Sequence, residues 1–204
     1  MSFSLCGVRF RISLPFTALL TLFFLIDQTG LATLSVLTVL LHEGAHLLAM
    51  AACGVRPQSI RLVVGAVEIV APITGLSRRK EVFVSAAGPA ANLLAGGVLY
   101  LLWCREGGSM VQNAVILQFC FGFFNLLPAA GLDGGSILAA LCGGRFDRLP
   151  GVVSVLTLML LASGGVILFC RYGGAGVLFA AVYLLITGLL CARRPPERRK
   201  FSAF

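Results

Sequence analysis

The sequence predicts an all-α polytopic membrane protein: six transmembrane helices, with a small interfacial β-hairpin between the second and the third. Three observations carry this. Of 204 residues, 58% are hydrophobic and only 12% charged, and the mean hydropathy of +0.98 lies far outside the range of soluble domains. The apolar residues gather into runs of about the length that crosses a bilayer, with basic segments between them. One stretch departs from this pattern, the β-branched segment around Ile60 to Val70. The net charge of +8 does not point to nucleic acid, because the basic residues sit between the apolar runs and after residue 192, where they read as determinants of topology. Seven cysteines form no C-x-x-C pair and lie mostly in or beside apolar runs, so they imply no disulfide framework.

The first apolar run follows Arg9 and Arg11 and ends at Ile26. No small-x-small cleavage site precedes Asp27-Gln28-Thr29-Gly30, so it reads as a retained, rather short first helix extended by its snorkelling arginines. The second helix is expected over Leu31 to Cys53, closed by Gly54. Between Val55 and Lys80, valines and isoleucines group around Gly65 and end at Pro72, which predicts a hairpin at the interface. Glu68 within it reads as a solvated strand residue rather than a site carboxylate.

A third span, Val82 to Trp103, contains Gly88-Pro89-Ala90-Ala91-Asn92 and a further Gly96, a small-residue stripe suited to close helix packing, with Asn92 read as an interhelical packing residue. The fourth apolar region, Val111 to Cys142, is too long for one straight span and is interrupted by Pro128, Gly131, Gly134 and Gly135. Irregular backbone at membrane depth must be buried in protein or line a polar cavity, and Asp133 sits in this break, eight residues after Asn125. Spans at Val152 to Cys170 and Gly174 to Cys191 complete the set. Residues 1–192 thus read as one intramembrane domain and 193–204 as a basic cytoplasmic tail held at anionic lipid.

With the amino end inside, fourteen of the sixteen Lys and Arg residues fall on the inner side, and only Arg105 and Arg171 on the outer. The positive-inside rule then puts both termini in the cytoplasm of a multi-pass cell-membrane protein.

Both histidines of the chain fall within His42-Glu43-Gly44-Ala45-His46, inside the second apolar run. Residues i and i+4 of a helix share a face, so both imidazoles can reach one metal ion, with Glu43 beside them to act on water as general base. Three ionisable residues in five, deep in hydrocarbon, cost too much to be retained without a function. His42 and His46 lie on the order of 12 to 18 Å from the inner end of their helix at 1.5 Å per residue. Asp133, on a region running in the same direction, reaches about 14 Å on the same scale. The other acids lie near one surface or the other, so Asp133 is the third candidate ligand. Two histidines and an aspartate leave one position of a tetrahedral Zn2+ open, as a catalytic site requires.

His42-Glu43-Gly44-Ala45-His46, Gly88-Pro89-Ala90-Ala91-Asn92 and Asn125-Leu126-Leu127-Pro128-Ala129-Ala130-Gly131-Leu132-Asp133-Gly134-Gly135 together resemble the site-2 protease family of intramembrane zinc metalloproteases. The resemblance spans nearly the whole chain and is greatest to the subgroup that includes the stage IV sporulation factor protease of endospore-forming bacteria. It implies one Zn2+ per chain on His42, His46 and Asp133, with Glu43 activating water and Asn125 helping to hold the substrate or its oxyanion. Against the family pattern, neither a PDZ-like insertion nor a nucleotide-binding domain after the last span is expected, and Ala130 stands where a proline is usual.

The implied activity is that of a metalloendopeptidase acting at the lipid bilayer. It would cut a membrane-tethered protein near the cytoplasmic face, such as a transcription-factor precursor or an anti-sigma factor, under regulatory membrane proteins. An unwound substrate must be held extended, and Ile60 to Val70 is expected to present it a free strand edge. The alternatives are a zinc transporter, which would want a second metal motif, and an inactive relative that binds membrane partners. A serine protease built on Ser136 has no histidine left to serve it.

Overall fold

The computed structural model describes residues 2–5, 7–63, 66–71, 76–142, 149–172 and 201–203. Strands β1 (Ser2–Leu5) and β2 (Val8–Ile12) lead into helices α1 (Leu14–Ile26) and α2 (Leu31–Ala52). Strands β3 (Ser59–Val63) and β4 (Ala66–Val70) follow, then α3 (Arg78–Glu106), α4 (Ser109–Asn125), α5 (Asp133–Cys142), α6 (Leu149–Tyr172) and β5 (Phe201–Ala203). The expected sixth span and most of the basic tail lie outside the described residues.

Three described helices, Leu31–Ala52, Arg78–Glu106 and Leu149–Arg171, are long and apolar enough to cross a membrane, which supports a membrane location. The first helix is shorter than the usual span: thirteen residues rise about 20 Å against a hydrocarbon core of about 30 Å. None of its residues is buried, and Leu19, Leu22, Phe23 and Leu25 point outward. The fourth apolar region is divided between α4 and α5.

The all-α expectation needs correction. The strands form one five-stranded sheet in the order β1-β2-β3-β4-β5. β2 runs parallel to β3, pairing Arg9 with Ser59 and Arg11 with Arg61, while the other neighbours are antiparallel. Arg9 and Arg11 therefore belong to a strand and do not lengthen the first helix. The alternation Val8-Arg9-Phe10-Arg11-Ile12 is the physical reason, since it exposes both arginines and half-buries the residues between them. Phe10 stacks on Phe3 of β1 with ring centroids 5.0 Å apart. Nor does the Ile60 to Val70 segment offer a free edge, because β3 is paired by β2 and β4 is paired from Val67 to Ile69 by β5.

The sheet closes onto one end of the helices. Ile60, Ile69 and Ala71 pack with Ala49, Met50 and Val55 at the end of α2 and with Val84 near the start of α3. Gly54, at a φ of 77°, ends α2 in a Schellman turn: its N–H donates to Ala51 O at 3.0 Å and that of Val55 to Met50 O at 2.9 Å. The other end of α2 begins at Gly30, which has no side chain to cap it. Asp27 serves instead, accepting from Ala32 N at 2.7 Å. A hydrogen bond from the Thr29 hydroxyl, followed by those from backbone N–H groups, holds the Asp27 carboxyl below its ordinary range.

α3 crosses both α2 and α4 closely. A Cβ at Gly96 would stand 3.2 Å from the Phe119 ring, and one at Gly122 3.0 Å from the Leu93 side chain. The small-residue stripe thus brings α3 against its neighbours, which is the close approach the sequence predicts.

Candidate metal centre

The helical turn between positions 42 and 46 puts both imidazoles on the buried face of α2, with no surface exposed on either. Their Nε2 atoms stand 3.1 Å apart. Asp133, the first residue of α5, brings Oδ2 to 3.0 Å from His42 Nε2 and 3.2 Å from His46 Nε2. Among the described residues this is the one group of three or more His, Cys, Asp or Glu side chains whose ligand atoms converge as a metal requires.

The other ring nitrogens show which way the lone pairs face. His46 Nδ1 lies 2.7 Å from the backbone carbonyl of Val84, an acceptor only, so Nδ1 carries the hydrogen. His42 Nδ1 lies 2.8 Å from Asn92 Oδ1. With both Nδ1 atoms acting as donors, each neutral ring turns an Nε2 lone pair inward, toward the carboxylate oxygen. While both rings are neutral, three acceptors within 3.2 Å of one another repel unless a cation sits among them. Their separations suit a tetrahedral zinc, whose ligand atoms at about 2.0 Å from the metal stand about 3.3 Å apart. The space for an ion is kept by Gly88: a Cβ there would lie 2.7 Å from His42 Nε2 and closer still to that of His46. The donor set and the cradle fit a divalent metal.

Asp133 is delivered by the break between α4 and α5. Here the chain turns through Gly131 at a φ of 95°, a conformation that favours glycine. Leu132 N donates to Ala129 O at 3.1 Å, and Ala130 N to the Ser154 hydroxyl of α6 at 2.7 Å. Ala129 and Leu132 are buried against Leu158. Gly134 and Gly135 then pass against the carbonyls of Leu126 and Ala129 so closely that a Cβ on either would overlap them. Ala129 and Leu132 anchor this irregular stretch in the interior, while Leu126 is exposed and the other residues between it and Leu132 are half-buried.

Glu43, next to His42 in the chain, is 5% exposed, and both its carboxylate oxygens lack a hydrogen-bond partner among the described residues. A buried carboxylate without a donor is costly, and it is suited to receive a proton. Asn125, the last residue of α4, is 1% exposed; its Nδ2 donates to Phe121 O at 3.0 Å while its Oδ1 has no partner. No hydrogen bond joins Asn125 to the three ligand atoms among the described residues, although Phe121, one turn back, meets His42 edge-on at 5.0 Å. Glu68 lies opposite Arg61 in the register of the sheet.

Asn92 was read as a packing residue, yet it contacts His42 directly. The available signal was chemical: an imidazole that ligates a metal needs an acceptor for its other nitrogen, and Asn92 is a polar side chain on the next span. The Val84 carbonyl has no such signal, since any residue there supplies one.

The chain shares the fold of the site-2 protease from Methanocaldococcus jannaschii, with a TM-score of 0.66 over 96% of each chain at 20% identity. In sequence it is similar to a particular protein, a zinc metalloprotease of Methanocaldococcus jannaschii, at 29% identity over 118 residues, 55% of this chain. The matched stretch corresponds to 34% of the length of that relative. No family model matches the chain.

Proposed function

We propose that this protein is a zinc-dependent intramembrane endopeptidase of site-2 protease type. The observation that carries the reading is the convergence of His42 Nε2, His46 Nε2 and Asp133 Oδ2, with both Nδ1 atoms engaged elsewhere. When bound, zinc supplies Lewis-acid chemistry, acidifying water toward a pKa of about 7 and polarising a carbonyl. The chain's own residues do the rest. Glu43 takes the proton from the attacking water and passes it to the leaving amine, for which its unpartnered oxygens are suited. Asn125 holds the scissile region through its amide. The apolar surroundings keep bulk water from the site.

Six spans with both termini in the cytoplasm remain our reading of topology. It is supported by the pairing of β2 with β3, which requires residues 8–12 and 59–63, with Arg9, Arg11 and Arg61, to share one side of the membrane. The substrate we propose is a membrane-tethered protein cut near that side, such as a transcription-factor precursor or anti-sigma factor of a bacterial cell, as in the sporulation-factor subgroup.

The test uses the full chain in proteoliposomes with tethered sigma-factor precursors and anti-sigma factors as substrates, and the Glu43→Gln variant beside it. Cleavage that needs zinc and is lost in Glu43→Gln, which keeps its zinc, supports the reading. Undiminished cleavage by Glu43→Gln removes it, and zinc uptake into the vesicle lumen without cleavage favours the transporter.

A further inference from the structure

We infer that Asn92 and Gln118 are positioning residues that fix the ring of His42 in its metal-binding tautomer and so set the metal affinity of the site. The inference rests on the metal site of the proposed function, but it concerns residues that touch neither the ion nor the substrate.

The geometry admits one orientation of the Asn92 amide. Its Nδ2 lies 2.6 Å from Gln118 Oε1 and 3.3 Å from the backbone carbonyl of Thr38, so both amide hydrogens have an acceptor. Turning the amide over would set its oxygen against the Thr38 backbone carbonyl, which can only accept, and its hydrogens against His42. The remaining atom, Oδ1, therefore faces His42 Nδ1 at 2.8 Å and accepts from it. Asn92 is fully buried and Gln118 7% exposed, so water does not replace either bond. The chain of contacts runs from α4 through α3 to α2, and His42 and Thr38 stand one turn apart on the same helix.

The two histidines differ in one respect that makes the inference testable. His46 is oriented by a main-chain carbonyl, which side-chain substitution leaves in place. His42 is oriented by a side chain that is itself oriented by another. Remove the Asn92 amide and His42 loses the acceptor that keeps the hydrogen on Nδ1. The neutral ring is then free to carry it on Nε2, where it blocks the metal. Loss of such an outer partner typically weakens metal binding 10- to 100-fold.

The experiment compares wild type with Asn92→Leu, Asn92→Asp and Gln118→Leu in detergent. It measures zinc affinity by competition with a chromophoric chelator, and the histidine tautomers of the metal-free protein by nitrogen NMR above the titration range. The chain has two histidines, so the spectrum holds two rings and His46 is the internal control. Asn92→Leu is expected to weaken zinc binding at least 10-fold and to move His42 toward the Nε2–H form while His46 stays Nδ1–H. Asn92→Asp, which keeps an acceptor at the same place, is expected to restore the tautomer, and Gln118→Leu to weaken zinc about 3- to 10-fold.

Wild-type affinity and tautomer in Asn92→Leu overturn the inference, as does weakened zinc with His42 unchanged or with both rings altered. If Asn92→Leu does not fold, Gln118→Leu decides: affinity within twofold of wild type and an unchanged His42 overturn the inference. A wild-type protein that binds no zinc refutes the proposed function, while the tautomer readout still decides the role of Asn92.

Discussion

The candidate metal centre is assembled from two regions that solve the same problem differently. α2 places His42 and His46 by regular helical geometry, and both rings lie on one face because four residues make about one turn. The break between α4 and α5 places Asp133 by a sequence of turns, with Gly131 in the left-handed region and Gly134 and Gly135 pressed against carbonyls. In the first region position follows from periodicity and tolerates change between the ligands. In the second it depends on every backbone contact along the way.

The comparison can be broken outright by removing a ligand from either region. Asp133→Ala and His46→Ala are expected to lose zinc and proteolysis together, with metal content measured on purified protein beside cleavage of a tethered substrate. Zinc retained at wild-type stoichiometry in Asp133→Ala would mean that the break contributes no ligand. A nearly equal effect is expected from Gly88→Ala, whose Cβ would enter the space between the two Nε2 atoms. Zinc affinity should fall more than 100-fold by chelator competition, a loss of roughly 3 kcal/mol or more at about 1.4 kcal/mol per tenfold.

Two glycine variants sharpen the contrast. Gly134→Ala forces the Leu126 carbonyl aside, and overpacking of this kind costs about 1–3 kcal/mol. The expected result is a lowered thermal midpoint and zinc binding weakened about tenfold. Gly44 lies between the ligands, but a Cβ there would meet nothing within 4 Å. Gly44→Ala should leave zinc unchanged and raise stability by up to about 1 kcal/mol, the helix-interior difference between the two residues. If Gly44→Ala proves as damaging as Gly134→Ala, the helical region is no more tolerant than the break.

The same contrast explains what was legible in the sequence. The convergence of His42 and His46 could be read directly, since H-E-x-x-H specifies both residue type and spacing. Asp133 could be reached by a depth argument because both regions run in one direction through a membrane of limited thickness. The role of Asn92 could not be settled, because an amide in a span is as useful between helices as beside a ligand, and only the placement of Gln118 and Thr38 decides which. The sheet was missed for another reason. Val8 to Ile12 alternates as a strand does, but it directly precedes an apolar run, and two arginines at such a boundary have an equally good explanation in lipid. One of its two partners, β3, is remote in the chain, and β5, which pairs with β4, is remote from that strand too, so no local pattern could announce either pairing.

The parallel pairing of β2 with β3 also imposes an order on biogenesis. A ribosome delivers Arg9 long before its partner Ser59, and the connection between the two strands is the helix pair α1 and α2. Until both helices have been made, β2 can pair only with β1. Closure of the sheet therefore waits on the whole stretch from α1 through α2. The short α1, none of whose residues is buried, thus serves the metal cluster only indirectly, as part of the connection that must be complete before β2 meets β3.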